Sequence, residues 1–177
     1  ARGADRVRVG HAGTLDPLAT GLLVVLVGRG TRLAPFLSGL DKTYTAEVCF
    51  GVATDTLDRE GAVTDVAPVP PTLAGLDAAL ATLTGDLAQV PPVYSALKRD
   101  GQALYRRARR GEEMEAPAPR RVRIHRLVAR EALWGVAPAT TADVPPLAPD
   151  GRIYRLTLEV ACGSGTYVRS LARDLAL

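Results

Sequence analysis

The chain has 177 residues, enough for one domain with a sizeable core and short for a second full one. With 47% hydrophobic and 23% charged residues, its composition is globular and excludes a disordered chain. The formal charge of +3, from 22 Lys and Arg against 19 Asp and Glu, is too small to announce a nucleic-acid partner by itself. Cys49 and Cys162 lie apart from each other and from His11 and His125, so no metal or cofactor site is expected. Two buried free thiols suit a reducing cytoplasm. No apolar run approaches the roughly 20 residues of a membrane helix, and there is no signal-peptide pattern. Both ends read as cut: Ala1 is not a Met, and Arg173 to Leu177 stops within a pattern.

In chain order, residues 22–27 (Leu-Leu-Val-Val-Leu-Val) form an apolar run of strand length between Gly21 and Gly28. Thr31 is placed to cap a short helix through Ser38, with Leu33, Phe36 and Leu37 inward. Alternation from Tyr44 to Phe50 predicts a half-buried strand with Tyr44, Ala46, Val48 and Phe50 on one face. Pro68, Pro70 and Pro71 mark a break. The clearest helix is Thr72 to Thr84, where Leu73, Leu76, Leu80 and Leu83 recur at helical spacing, Thr72 is the N-cap and Gly85 the stop. Gln102 to Arg110 reads as a short basic helix closed by Gly111. Residues 135–151, rich in Pro, Ala and Gly, read as a surface loop. Tyr154 to Cys162 alternates again, and Tyr167 leads into a helix carrying Val168, Leu171 and Leu175. The expected fold class is α+β: a mixed, mainly antiparallel sheet flanked by helices.

Charge is unevenly distributed. Arg106, Arg107, Arg109 and Arg110 form one cluster, and Arg120, Arg121, Arg123, Arg126 and Arg130 another. Either could be a solvated face. Only Glu112, Glu113 and Glu115 lie between them, which predicts a local positive surface.

The most unusual stretch is Gly10 to Gly21, Gly-His-Ala-Gly-Thr-Leu-Asp-Pro-Leu-Ala-Thr-Gly. Pro17 biases Asp16 away from helical geometry, and the glycines permit tight turns and close approach of a ligand. An Asp on such a loop can be a nucleophile or a general base, or the start of an Asx turn before a strand. The residues alone leave these readings open.

This segment resembles the catalytic segment of the TruB family, whose members convert a uridine in the T loop of tRNA to pseudouridine. Three further segments agree in order. Asp41-Lys42-Thr43-Tyr44 is similar to a second family motif. Pro91-Pro92-Val93-Tyr94-Ser95-Ala96-Leu97-Lys98, with Gly101 and Tyr105, resembles the substrate-facing thumb. Cys162-Gly163-Ser164-Gly165-Thr166-Tyr167-Val168-Arg169 resembles the closing motif.

The resemblance implies a pseudouridine synthase catalytic domain over 1–177, short at both ends, with a thumb-like segment at about 91–119 and without the family's accessory C-terminal RNA-binding segment. Asp16 would be the nucleophile, attacking ribose C1′ or the uracil ring. Arg169 would pair with Asp16, and Asp58 would support Arg169. Tyr44 would pack on the flipped uracil and take part in proton transfer at C5, Tyr167 would wall the pocket, and His11 would fill the space left by the extruded base. Tyr94, Lys98, Arg106 and Arg107 would contact substrate. Singly, Tyr44 and Tyr167 also suit a core, Arg169 and Lys98 a surface, and His11 a structural role. The implied partner is the tRNA T arm, bound by a monomer without cofactor or metal. Two other readings remain: the catalytic protein of a guide-RNA-dependent pseudouridylation complex, which shares the Thr-Leu-Asp-Pro core, and a non-catalytic RNA-binding or tRNA-folding module.

Overall fold

Alternating apolar residues in Tyr44–Phe50 and Leu156–Cys162 become neighbouring strands of one sheet, and this pair organises the larger part of the chain. The computed structural model describes residues 7–66, 73–99, 101–112, 114–134 and 153–176. Chain contacts divide the molecule into two compact units, Ala1–Asp41 and Lys42–Leu177.

In the first unit, β1 (Val9–His11) pairs antiparallel with β2 (Val25–Val27), Gly10 opposite Leu26. A 3-10 turn over Gly28–Leu33 and a five-residue helix α1 (Ala34–Ser38) follow. The loop between the strands is tied at its base, where the Ala12 amide donates to the Val24 carbonyl at 3.0 Å. The apolar run of 22–27 is a strand only in its last three residues. Leu26 is buried, while Leu22, Val25 and Val27 are exposed. A two-stranded ribbon has little area with which to cover them. Thr31 does not cap α1. Its hydroxyl donates to the Gly28 carbonyl at 2.9 Å within the 3-10 turn, and Pro35 instead opens the helix. Leu33 and Phe36 face outward, contrary to the spacing argument.

The second unit is built on a four-stranded sheet in the order β3-β10-β9-β6, every pairing antiparallel. The strands are β3 (Lys42–Cys49), β6 (Gly85–Gln89), β9 (Arg120–Trp134) and β10 (Ile153–Cys162). Between β3 and β6 lie the hairpin β4 (Val52–Thr54) and β5 (Val63–Val66), and helix α2 (Leu73–Thr82). Between β6 and β9 come the two-residue strands β7 (Lys98–Arg99) and β8 (Gln102–Ala103), and helix α3 (Leu104–Ala108). Helix α4 (Val168–Leu175) closes the order.

Leu156, Leu158, Val160 and Cys162 of β10 form the centre of the core, each 1% exposed or less. Val48 and Phe50, Leu76 and Leu80 of α2, Ile124 and Leu127 of β9, and Leu171 and Leu175 of α4 join them. Burying the two α2 leucines contributes roughly 3–6 kcal/mol before ordering entropy is subtracted. The other face of β10 is ionic. Arg155 pairs with Glu47 across to β3, and Glu159 receives Arg126 and Arg130 from β9, the latter at 2.5 Å.

Several expectations change here. The second arginine cluster lies on β9, a strand that the charge pattern concealed, and acids distant in sequence offset part of it: Arg123 pairs with Asp86 at 3.2 Å, and Arg126 and Arg130 share Glu159. Cys49 is exposed, since β3 turns its odd-numbered residues outward, whereas Cys162 is buried. Gln102–Ala103 is strand, so the basic helix begins only at Leu104. The Thr72 cap, the Pro68–Pro71 break and the 135–151 loop fall outside the described residues, as do the side chains of Leu73 and Tyr154.

Candidate active site

The loop joining β4 to β5 is folded by its own short polar side chains. Thr54 Oγ1 donates to the Asp58 carbonyl at 2.7 Å, and the Ala62 amide donates to Asp55 Oδ1 at 2.9 Å. Asp58 Oδ1 accepts the Thr56 hydroxyl at 2.7 Å and the Glu60 amide at 3.0 Å. These are the local bonds that Asp and Thr offer a backbone leaving a strand. Leu57 takes φ of 59°, a left-handed conformation rarely adopted without a constraining surround. Gly61 is required by space: a Cβ there would stand 2.3 Å from Thr56 Oγ1 and 2.9 Å from the Thr56 amide nitrogen.

Against this loop stands Arg169, in the first turn of α4. One guanidinium nitrogen donates to the Thr56 carbonyl at 2.7 Å and lies 3.4 Å from Asp58 Oδ2, while the other donates to the Tyr94 carbonyl at 3.0 Å. The Arg169 and Asp58 side chains are only 14% and 12% exposed. A planar fork reaching two carbonyls and a carboxylate is a geometry that arginine supplies and lysine does not.

The start of α4 is anchored from β6. Gln89, buried, donates from Nε2 to the Tyr167 carbonyl at 3.1 Å and accepts the Tyr167 amide on Oε1 at 2.8 Å. Ser170 Oγ donates to the Val90 carbonyl at 2.8 Å. Tyr94 donates its hydroxyl to Asp55 Oδ2 at 3.3 Å. Burial, and then the Asp55 carboxylate beside it, push the Tyr94 phenol above its ordinary range.

Of the residues singled out in the sequence, Arg169, Asp58 and Tyr94 thus come together. Tyr167 is fixed through its peptide, and Tyr44, opposite Val160 in the sheet, packs against the core. Lys98 and Arg106 are exposed on β7 and α3, and Arg107 is half-buried beside Glu112. Asp16 and His11 belong to the first unit. There the Asp16 carbonyl accepts the Ala19 amide at 2.9 Å, and His11 Nδ1 donates to the Gly13 carbonyl. Sequence reasoning missed Gln89 and the carbonyls of Thr56 and Tyr94, because backbone acceptors leave no residue-type signature. Gly61 was legible only as one glycine among 17.

The α+β fold is shared with solved structures. One, a Cbf5-Nop10-Gar1 complex, aligns with 96% of this chain and 35% of its own at TM-score 0.59 and 21% identity. Another, an H/ACA RNP bound to a substrate RNA containing 2′-deoxyuridine, aligns with 96% of this chain and 33% of its own at TM-score 0.55 and 16% identity. At those identities the likeness is one of fold. Sequence goes further, since the model for the TruB family pseudouridylate synthase (N terminal domain) matches residues 2–168, and the chain belongs to that family. It is 44% identical over 175 residues to a tRNA pseudouridine synthase B from Caulobacter sp. (strain K31), covering 99% of this chain and 50% of that protein. To the protein of the same name from Cupriavidus pinatubonensis it is 45% identical, covering 96% and 48%. The chain spans about half the length of the curated relatives it matches.

Proposed function

We propose that this chain is the catalytic part of a stand-alone enzyme that isomerises a specific uridine in the T loop of tRNA to pseudouridine. The observation that carries this reading is 44–46% identity, over 94–99% of the chain, to proteins named tRNA pseudouridine synthase B. The much lower identity to the Cbf5 chains weighs against a guide-RNA-dependent role. A reducing, cytoplasmic setting is part of the same proposal.

In the reaction the bond from uracil N1 to ribose C1′ breaks and one from C5 to C1′ forms. C5 loses a proton and N1 gains one. Every atom of the substrate is retained, so the chemistry calls for neither redox cofactor nor metal. The uridine first leaves its stack, at a cost of a few kcal/mol. Asp16 is the nucleophile, toward C1′ or the uracil ring, with Arg169 as its partner. Tyr44 packs on the flipped base and serves proton transfer at C5, Tyr167 walls the pocket, and His11 fills the vacated stack. Within the second unit, the contacts of Arg169 with Asp58, Thr56 and Tyr94 order its guanidinium before substrate arrives. The thumb-like segment 91–119, with Tyr94, Lys98, Arg106 and Arg107, contacts the T arm.

Asp16→Asn tests the assignment, because the amide matches the carboxylate in shape but is not a nucleophile. Tritium release from C5-labelled uridine in a bare T-arm stem-loop should fall more than a hundredfold, about 2.7 kcal/mol of barrier, while filter-retention affinity changes little. A variant keeping more than a hundredth of the rate removes Asp16 from the role. Wild-type turnover that required guide RNA, or binding without turnover, would overturn the stand-alone enzyme.

A further inference from the structure

Two arginines of the thumb-like segment converge on one carboxylate. Arg107 Nε donates to Glu112 Oε2 at 2.7 Å, and Arg110 donates to Glu112 Oε1 from Nε at 2.9 Å and from a terminal nitrogen at 2.5 Å. That terminal nitrogen also donates to Gln102 Oε1 at 2.8 Å. The group lines an open cleft of about 270 Å³ bounded by Arg99, Gln102, Arg107, Arg110 and Glu112. Both glutamate oxygens accept from guanidinium N–H groups, donors that arginine offers a phosphate as readily as a carboxylate. The two guanidiniums hold the Glu112 carboxyl below the ordinary carboxylate range. Glu112 remains about one-third exposed and Arg110 about half, so an incoming anion can reach the pair.

We infer that the cleft is a phosphate site for substrate RNA in which Glu112 occupies the phosphate position until RNA displaces it. Glu112 is thus an internal competitor. It keeps Arg107 and Arg110 ordered in the RNA-free protein and lowers affinity for any polyanion that does not gain enough elsewhere to expel it. Glu112 lies beyond the end of α3, after Arg109, Arg110 and Gly111, and its amide donates to the Arg107 carbonyl at 3.3 Å, so its side chain can swing out without unfolding the helix. The inference rests on the RNA-binding reading above and adds to it a residue that sets selectivity.

The sign of one substitution tests it. Glu112→Gln keeps size, removes the charge and replaces one acceptor oxygen by an amide donor. The expected result is T-arm stem-loop affinity about two- to fivefold tighter, the scale of an exposed ion pair. The slope of log K against log salt should steepen by roughly 0.7–0.9, since one more protein charge is left for phosphate. Glu112→Ala should move both quantities in the same direction, and the gain should vanish in Arg107→Ala/Arg110→Ala. Thermal melts of each variant identify any loss of fold. Unchanged or weaker binding by folded Glu112→Gln overturns the inference and leaves Glu112 as a tie between α3 and the following loop. Pseudouridine formation is read on the same samples: absence of product from wild type would sink the enzymatic reading, while the order of affinities alone decides the role of Glu112.

Discussion

Arg169 meets acceptors from two different segments, among them the Thr56 and Tyr94 carbonyls beside the Asp58 carboxylate. Lysine at this position could satisfy Asp58 or one carbonyl, but not the planar set. Arg169→Lys should therefore lower the single-turnover rate tenfold or more, about 1.4 kcal/mol of barrier, with Arg169→Met at least as slow. A lysine variant indistinguishable from wild type would show that charge alone matters there. Asp16, Arg169 and Tyr94 could be singled out from sequence because each sits in a distinctive motif, and Asp58 only as a role that the family resemblance implies. Gln89 could not. Its value comes from burial beside the Tyr167 peptide, 78 residues away in the chain.

At the scale of elements, β9 shows why charge can mislead. Val122 and Ile124 alternate inward, but a bulge between Ile124 and Arg126 moves the buried positions to Leu127 and the partly buried Ala129. An extra residue in a strand reverses its parity, so no single period-two pattern runs through the arginines. The β4–β5 loop offers a sharper test of element-level packing. In Gly61→Ala the new methyl meets Thr56 Oγ1, which can rotate, and the Thr56 amide nitrogen, which cannot move without shifting the loop. Overpacking of this kind costs roughly 1–3 kcal/mol. The expected outcome is a lower midpoint in thermal or urea unfolding and a reduced rate, because the Thr56 carbonyl and Asp58 shift relative to Arg169. Wild-type stability and rate together would mean that the loop is more compliant than its bonds imply.

For the molecule as a whole, the net charge of +3 matters less than where compensating acids fall. On β9, Arg123, Arg126 and Arg130 face Asp86 and Glu159, whereas Arg106 and Arg109 flank the Tyr105 ring, each guanidinium 5.8 Å from its centroid. Cationic groups over an aromatic ring stay accessible to phosphate while losing little hydration. Replacing Arg106, Arg107, Arg109 and Arg110 together by Ala should weaken tRNA binding and flatten its salt slope by roughly 0.7–0.9 per lost phosphate contact. Saturating RNA should largely restore the rate, since such groups bind ground and transition states alike. A salt titration with single-turnover rates at saturation measures both, and an unchanged slope would leave α3 as a solvated face.

Sequence by itself determined the α+β class, strands β3 and β10, helices α2 and α4 and the family. Alternation and helical spacing are local consequences of burying one face, and the motifs are contiguous. Tertiary structure decided the rest. It alone brought Glu47 to Arg155, and Asp86 and Glu159 to Arg123, Arg126 and Arg130, and so offset part of a cluster that looked uniformly basic in one dimension. It exposed Leu33 and Phe36, where helical spacing had pointed inward. It also assembled the Arg169 network from the β4–β5 loop, the segment after β6 and the start of α4. The physical reason is the same in each case: a charge, an apolar face or a backbone carbonyl acquires its energy from what faces it, and the facing group lies tens of residues away.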